Sequence, residues 1–157
     1  MLSKSLKMIH HSSDVQSLHI GAGTKIWQYV VILKDARIGD NCNINSHCFI
    51  ENDVIIGDSV TVKCGVYLWD GLRIGSNVFI GPNVTFTNDK YPKSRIYPKV
   101  FQKTIIEDNV SIGAGSIILG GVTVGKGSMI GAGSLVTKNV PTGELWYGSP
   151  AKFIKKI

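Results

Sequence analysis

The chain has 157 residues, of which 43% are hydrophobic and 18% charged. That balance excludes wholesale disorder, and the length suits one domain able to bury its core without disulfides or a structural metal. Seventeen Lys/Arg against eleven Asp/Glu leave a net charge of +6, but no helix carries a basic stripe, so no nucleic acid is expected as a partner.

Met1 to Ser12 contains lysines but no apolar core, so no signal peptide is expected. No apolar run in the chain approaches the roughly 18 residues of a membrane span. The three cysteines, Cys42, Cys48 and Cys64, form no CxxC pair. Together these features point to a reducing, cytoplasmic setting.

From Ile20 onward an apolar residue recurs every six positions: Ile26, Ile32, Ile38, and so on without a miss to Phe86. The series resumes at Ile106 and runs to Val136. Four residues after each hit stands a small or β-branched residue, such as Val30, Ala36, Cys42, Val60, Val110 or Ser116. A helix would repeat at 3.6 and a strand at 2. A period of six fits a short strand plus a turn, and three such units close one triangular coil. The fold expected is all-β: a left-handed parallel β-helix of about six coils. Glycine numbers 18, where about 11 are usual. With Asn and Asp it is expected to supply the corner turns at positive φ.

The expected divisions of this single domain (1–157) follow. Residues 1–19 form an N-terminal cap, 20–86 coils, 87–105 a protruding loop, 106–140 further coils, and 141–157 a C-terminal tail that caps the other end. Cys42 and Cys48 fall at inward small positions and read as core. Trp27, Tyr29, Val31, Tyr67 and Trp69 would place apolar surface outside, which argues for self-association.

Residues eighteen apart stack one above another. Asn52, Asp70 and Asn88 then form a column at one corner, beside Asp53, Gly71 and Asp89. The repeat breaks at this corner. The loop that leaves it carries Lys90, Lys93, Arg95, Lys99 and Lys103, with no acidic residue among them. That cluster suits a small phosphorylated ligand. If Ile106 resumes on the next face, Gly120 and Gly121, then Lys138 and Asn139, continue the column. A long loop in a compact repeat is more often functional than not. Asn52 alone reads as a turn residue.

The repeat plus one loop resembles the left-handed β-helix, hexapeptide-repeat acyltransferases. The stretches Gly131–Pro141 and Gly148–Lys152 are similar to the C-terminal signature of that superfamily. Val66–Gly71 with Asn77–Ser94 is most similar to the N-acetyltransferases of dTDP-3-amino-3,6-dideoxyhexoses. The resemblance implies a homotrimer and acetyl-CoA in a groove between neighbouring subunits. It also implies an amino sugar near the loop, in bacterial surface-polysaccharide (lipopolysaccharide or O-antigen) biosynthesis. The positions it carries over are Asp70, Asn88 and Asp89, which coincide with the stacked column.

On this reading Asp70 and Asp89 hold the sugar's amino group and Asn88 orients the sugar. Backbone N–H groups at Gly120 or Ala114 are candidates for the oxyanion. Ala114, Gly120, Gly121, Ala132, Lys138 and Lys152 are the candidate cofactor contacts. Trp69, Lys93 and Arg95 are the candidate substrate contacts. No metal is expected. Many superfamily members use a loop histidine as base. The histidines here are His10, His11, His19 and His47, none of them in the loop, which favours transfer to an amine. A sugar or antibiotic O-acetyltransferase and a non-catalytic β-helix scaffold are the alternatives.

Overall fold

The computed structural model describes residues 6–157. The chain winds into stacked coils with three flat faces and no helix among the described residues. The first face carries strands such as Lys25–Ile26, Asn43–Ile44, Thr61–Val62 and Phe79–Ile80. The second carries Val31–Ile32, Phe49–Ile50, Tyr67–Leu68 and Thr85–Phe86. The third carries Arg37–Ile38, Ile55–Ile56 and Leu72–Ile74. From Lys25 to Phe86, neighbours on each face pair in parallel, eighteen residues apart, as Asn43 does with Thr61. This is the left-handed parallel β-helix expected from the repeat.

From Lys25–Ile26 on, each two-residue strand points its second residue inward. Ile26, Ile32, Ile44, Ile50, Leu68 and Ile80 are fully buried. The small positions are buried too, including Ala36, Cys42, Cys48, Val60, Val110 and Ser116. Large and small inward residues therefore alternate around each coil, and the prism fills without a cavity-sized gap in the pattern.

The glycines fall into two groups, and only one of them serves the corner turns at positive φ. Those directly after a large inward residue sit where the next coil passes. A Cβ on Gly39 would lie 2.3 Å from the Asp58 carboxylate and 2.6 Å from the Gly57 carbonyl carbon. Space, not φ, demands glycine there. The positive-φ corners fall three residues after the inward residue. They use Tyr29, Asn41, His47, Ser59, Asn77, Asn83 and Asn109 as well as glycines such as Gly127.

The turn count is nearer eight than six. Eight strands stack in parallel on the first face, with a ninth antiparallel. At the N-terminal end Met8–Ile9 pairs with Lys25–Ile26, and Asp14–Val15 with Val31–Ile32. Residues expected as a cap thus form a coil. At the other end Val140 bridges Val124, and Glu144–Gly148 stacks on Met129–Ile130. The chain then turns back antiparallel as Ala151–Lys156, with Trp146 buried over the core.

The loop leaves after Phe86 and the coil resumes with the strand Thr104–Ile106. It is therefore shorter at its far end than the expected 87–105, because Thr104 and Ile105 already pair with Leu72 and Arg73. Ile80 and Ile112 are partners across the interruption, as Val62 and Ile80 are below it. The first pair is 32 residues apart and the second 18, yet the register is unbroken.

Candidate active site

The corner between the second and third faces assembles the stacked column. Asp70 is held on three sides there. Its N–H donates to Glu51 Oε2 at 2.7 Å. Its Oδ1 accepts the Asp53 N–H at 2.7 Å. Its carbonyl accepts from Asn88 Nδ2 at 3.3 Å. Asn52 plays a turn role one coil below, where its Oδ1 accepts the Asp35 N–H at 3.2 Å. Asp53 is paired with Arg73, which also donates to the Asp53 carbonyl.

Asp89 opens the loop, and its Oδ1 accepts the Tyr91 N–H at 2.8 Å in a tight turn. Asn88 and Asp89 line a cavity of about 210 Å³ with Lys90, Tyr91, Pro98, Val100 and Gln102. Asn88 thus links the two residues: it lines the cavity beside Asp89 and bonds to the Asp70 backbone carbonyl below. Of the loop cations, Lys90 lines this cavity. Lys93 and Arg95 lie further out and are fully exposed, with Arg95 at a φ of 62°.

The column continues upward as the sequence predicts, through Gly120 and Gly121 and then Lys138. The bare backbone is not open, however. A Cβ on Gly120 would lie 3.0 Å from the Thr87 carbonyl oxygen and 3.1 Å from Asn88 Cα. The loop's own base fills that space. The N–H of Gly120 donates to Thr87 Oγ1, and that of Gly121 to Thr104 Oγ1. Both donors are committed to protein acceptors.

Ala114 and Ala132 lie at a different corner, between the first and second faces, and both are exposed. The Ala114 carbonyl accepts from Gly133, but the Ala114 N–H has no acceptor among the described residues. Lys138 stands 5.4 Å from the centroid of the Trp146 ring, an arrangement that favours the cation. Lys152 is exposed on the last strand, opposite Tyr147. The six expected cofactor contacts are therefore spread over two corners and the tail of one chain.

Trp69 is half-buried and packs with Phe49 and Tyr67, at ring-centroid distances of 5.7 and 5.9 Å. With Tyr29, Val31, His47 and Cys48 these rings line a groove of about 370 Å³ on the second face. His47 is exposed at a φ of 62° and stacks on Tyr29 at 5.1 Å. It occupies a corner remote from the loop.

Glu51 was not among the sequence candidates. Its position in the column is otherwise uncharged, held by Leu33, Trp69, Thr87 and Leu119 in other coils, and that contrast was the available clue. Burial, with a smaller contribution from the Asp70 charge, raises its carboxyl above the ordinary range despite the bond from the Asp70 N–H. Among the described residues no group of three His, Cys, Asp or Glu is placed to hold a metal ion. Among the described residues no helix is long and apolar enough to cross a membrane.

A parallel β-helix with one loop over an acidic corner leaves the class open, and the comparisons narrow it. The family described as bacterial transferase hexapeptide (six repeats) matches residues 17–52, 53–88 and 103–138, and the gap in the match is the loop. A dTDP-3-amino-3,6-dideoxy-alpha-D-galactopyranose 3-N-acetyltransferase of Aneurinibacillus thermoaerophilus is 54% identical over 92% of this chain and 75% of its own. The polySia-specific acetyltransferase NeuO superposes with a TM-score of 0.70 at 25% identity, over 96% of this chain and 75% of its own. A hexapeptide-repeat acetyltransferase of Vibrio cholerae, complexed with acetyl-CoA, gives 0.65 at 27% identity, over 88% and 70%. The chain belongs to the bacterial hexapeptide transferase family. Within it, the chain is an acyltransferase that uses acetyl-CoA.

Proposed function

We propose that this protein acetylates the amino group of a nucleotide-linked amino-deoxy sugar, with a dTDP-3-amino-3,6-dideoxyhexose as substrate and a homotrimer as the working form. The observation that supports the site is that Asn88 bonds to the Asp70 carbonyl and, with Asp89, lines the cavity at the base of the loop. The 54% identical relative supports the substrate class. The exposed aromatic groove of the second face supports association between copies. A neighbouring copy would also bring Ala114 and Ala132 of one corner towards the loop of another. The setting that fits is the bacterial cytoplasm, where nucleotide sugars are built for surface polysaccharides.

The chemistry requires a neutral amine facing the thioester. Asp70 and Asp89 attract the amine as the ammonium ion and fix its position. Once a proton is lost to solvent, the nitrogen attacks the acetyl carbonyl carbon. The C–N bond forms, and the tetrahedral intermediate collapses by breaking the C–S bond. CoA leaves with a proton released by the nitrogen. Ala114 is the better oxyanion donor, since its N–H is free while that of Gly120 is bonded. Lys90, Lys93 and Arg95 meet the sugar's diphosphate, and Lys138 and Lys152 meet the cofactor's phosphates.

The test is release of free CoA thiol from acetyl-CoA with a panel of dTDP- and UDP-linked amino sugars. Turnover with an amino sugar, and none with its hydroxyl counterpart, is the expected result. Turnover with the hydroxyl sugar alone would replace this reading with O-acetylation. Full turnover in both Asp70→Ala and Asp89→Ala would remove those residues from the site.

A further inference from the structure

We propose that Glu51 is a positioning residue for Asp70, acting as the acceptor that clamps its backbone. This rests on the site proposed above.

Some side-chain caps at this corner run downward, from one coil to the N–H of the coil below. Asn52 caps Asp35 and Asp70 caps Asp53 in this way. Glu51 does the reverse, as Thr87 does for the Gly120 N–H above the loop. It reaches up one coil to accept the Asp70 N–H. The equivalent N–H groups of Asn52 and Asn88 have Leu33 and Trp69 in the place of Glu51, and neither side chain can accept in this geometry. Neither N–H has an acceptor among the described residues. Within the column the upward bond thus holds Asp70 and Gly120, and not Asn52 or Asn88.

Its effect follows from the rest of the geometry. Asp70 also holds the Asp53 N–H and receives the Asn88 amide. A shift of the Asp70 backbone would therefore move its own carboxylate and loosen Asn88, the first loop residue that lines the cavity. Glu51 is half-buried, so an apolar replacement would leave the Asp70 N–H short of a partner in a poorly solvated place.

Three variants separate the roles: Glu51→Met, Glu51→Gln and Asp70→Ala. Methionine keeps the packing and removes the acceptor, and glutamine keeps an oxygen that accepts the same N–H. Folding is checked by thermal melting. In the thiol-release assay with a dTDP-3-amino-3,6-dideoxyhexose, E51M should lower kcat/KM about tenfold. The loss should fall on the KM for the sugar, with the KM for acetyl-CoA unmoved. E51Q should stay within about twofold of the parent. If E51M keeps its full kcat/KM while D70A loses it, the clamp is irrelevant and the inference falls. If E51Q is as impaired as E51M, the charge matters and the clamp is again wrong. If D70A itself is unimpaired, the site reading beneath the inference fails instead.

Discussion

Thr87 receives the backbone N–H of Gly120 at 3.0 Å, one coil above the point where the loop departs. Thr104 receives the N–H of Gly121 at 3.0 Å where the loop returns. The two hydroxyls pin both ends of the loop to the same turn of the prism.

They should not be equal. Gly120 is buried and Gly121 exposed, so water can replace only the second acceptor. Thr87→Val should cost about 2 kcal/mol and Thr104→Val under about 1, read as a difference in thermal or denaturant unfolding. Thr87→Val should also lower kcat/KM for the sugar, since Asn88 follows it directly. Equal losses would show that the two bonds are not sorted by burial.

The two glycine groups should respond differently to alanine. Gly39→Ala places a methyl 2.3 Å from the Asp58 carboxylate and against the Gly57 backbone. It should destabilise the fold by about 3 kcal/mol or more. Gly127 has a φ of +68°, but a Cβ there meets nothing within 4 Å. Gly127→Ala should cost about 1 kcal/mol, from backbone strain alone. Denaturant midpoints at constant m-value make the comparison.

Thiol chemistry should distinguish the cysteines. Cys42 and Cys48 are each 1% exposed, whereas Cys64 is exposed at a corner. Burial pushes the Cys48 thiol up to about 11 and raises that of Cys42. Near pH 8, the ordinary range of a free thiol, the native protein should react at Cys64 alone, and the unfolded chain at all three. Rapid reaction of Cys48 below pH 10 in the folded state would contradict its burial.

Glu51 should leave a mark on the pH dependence of stability. Its pKa is raised in the folded chain, mainly by burial, so the native state holds this proton more tightly than the unfolded state. The corresponding stabilisation is present below the ordinary carboxylate pKa and is lost as pH rises through the raised value. Glu51→Gln cannot titrate there. Relative to E51Q, the parent should gain stability as pH falls through that window. Parallel melting-temperature profiles would refute the shift.

Much of the fold was legible because a prism repeats one local solution. Ile26, Ile44, Val62 and Ile80 occupy equivalent inward places, so one period reports them all. The end coils were missed for a physical reason. Met8 pairs with Lys25, one residue short of the regular spacing, and Val124 bridges Val140 two short. At the ends a coil packs on one side only and tolerates a tighter path. The column Asp70–Asn88–Gly120 was legible by stacking alone. The filling of the space over Gly120 was not, since it depends on where an irregular loop puts Thr87 and Asn88. At Glu51 the contrast with Leu33, Trp69, Thr87 and Leu119 marks the position, but the bond it makes to a backbone N–H one coil away leaves no residue pattern.

The register across the loop carries a consequence for how such proteins diversify. Ile80 meets Ile112 as squarely as Val62 meets Ile80, so the prism does not register how many residues depart between Phe86 and Thr104. Length and composition there can change without disturbing a single strand pair. On the proposed reading, acceptor recognition is in this sense an exchangeable cartridge, plugged into a frame that handles the acyl donor. New sugars can be explored by rewriting one excursion of the chain, while the folding problem stays solved.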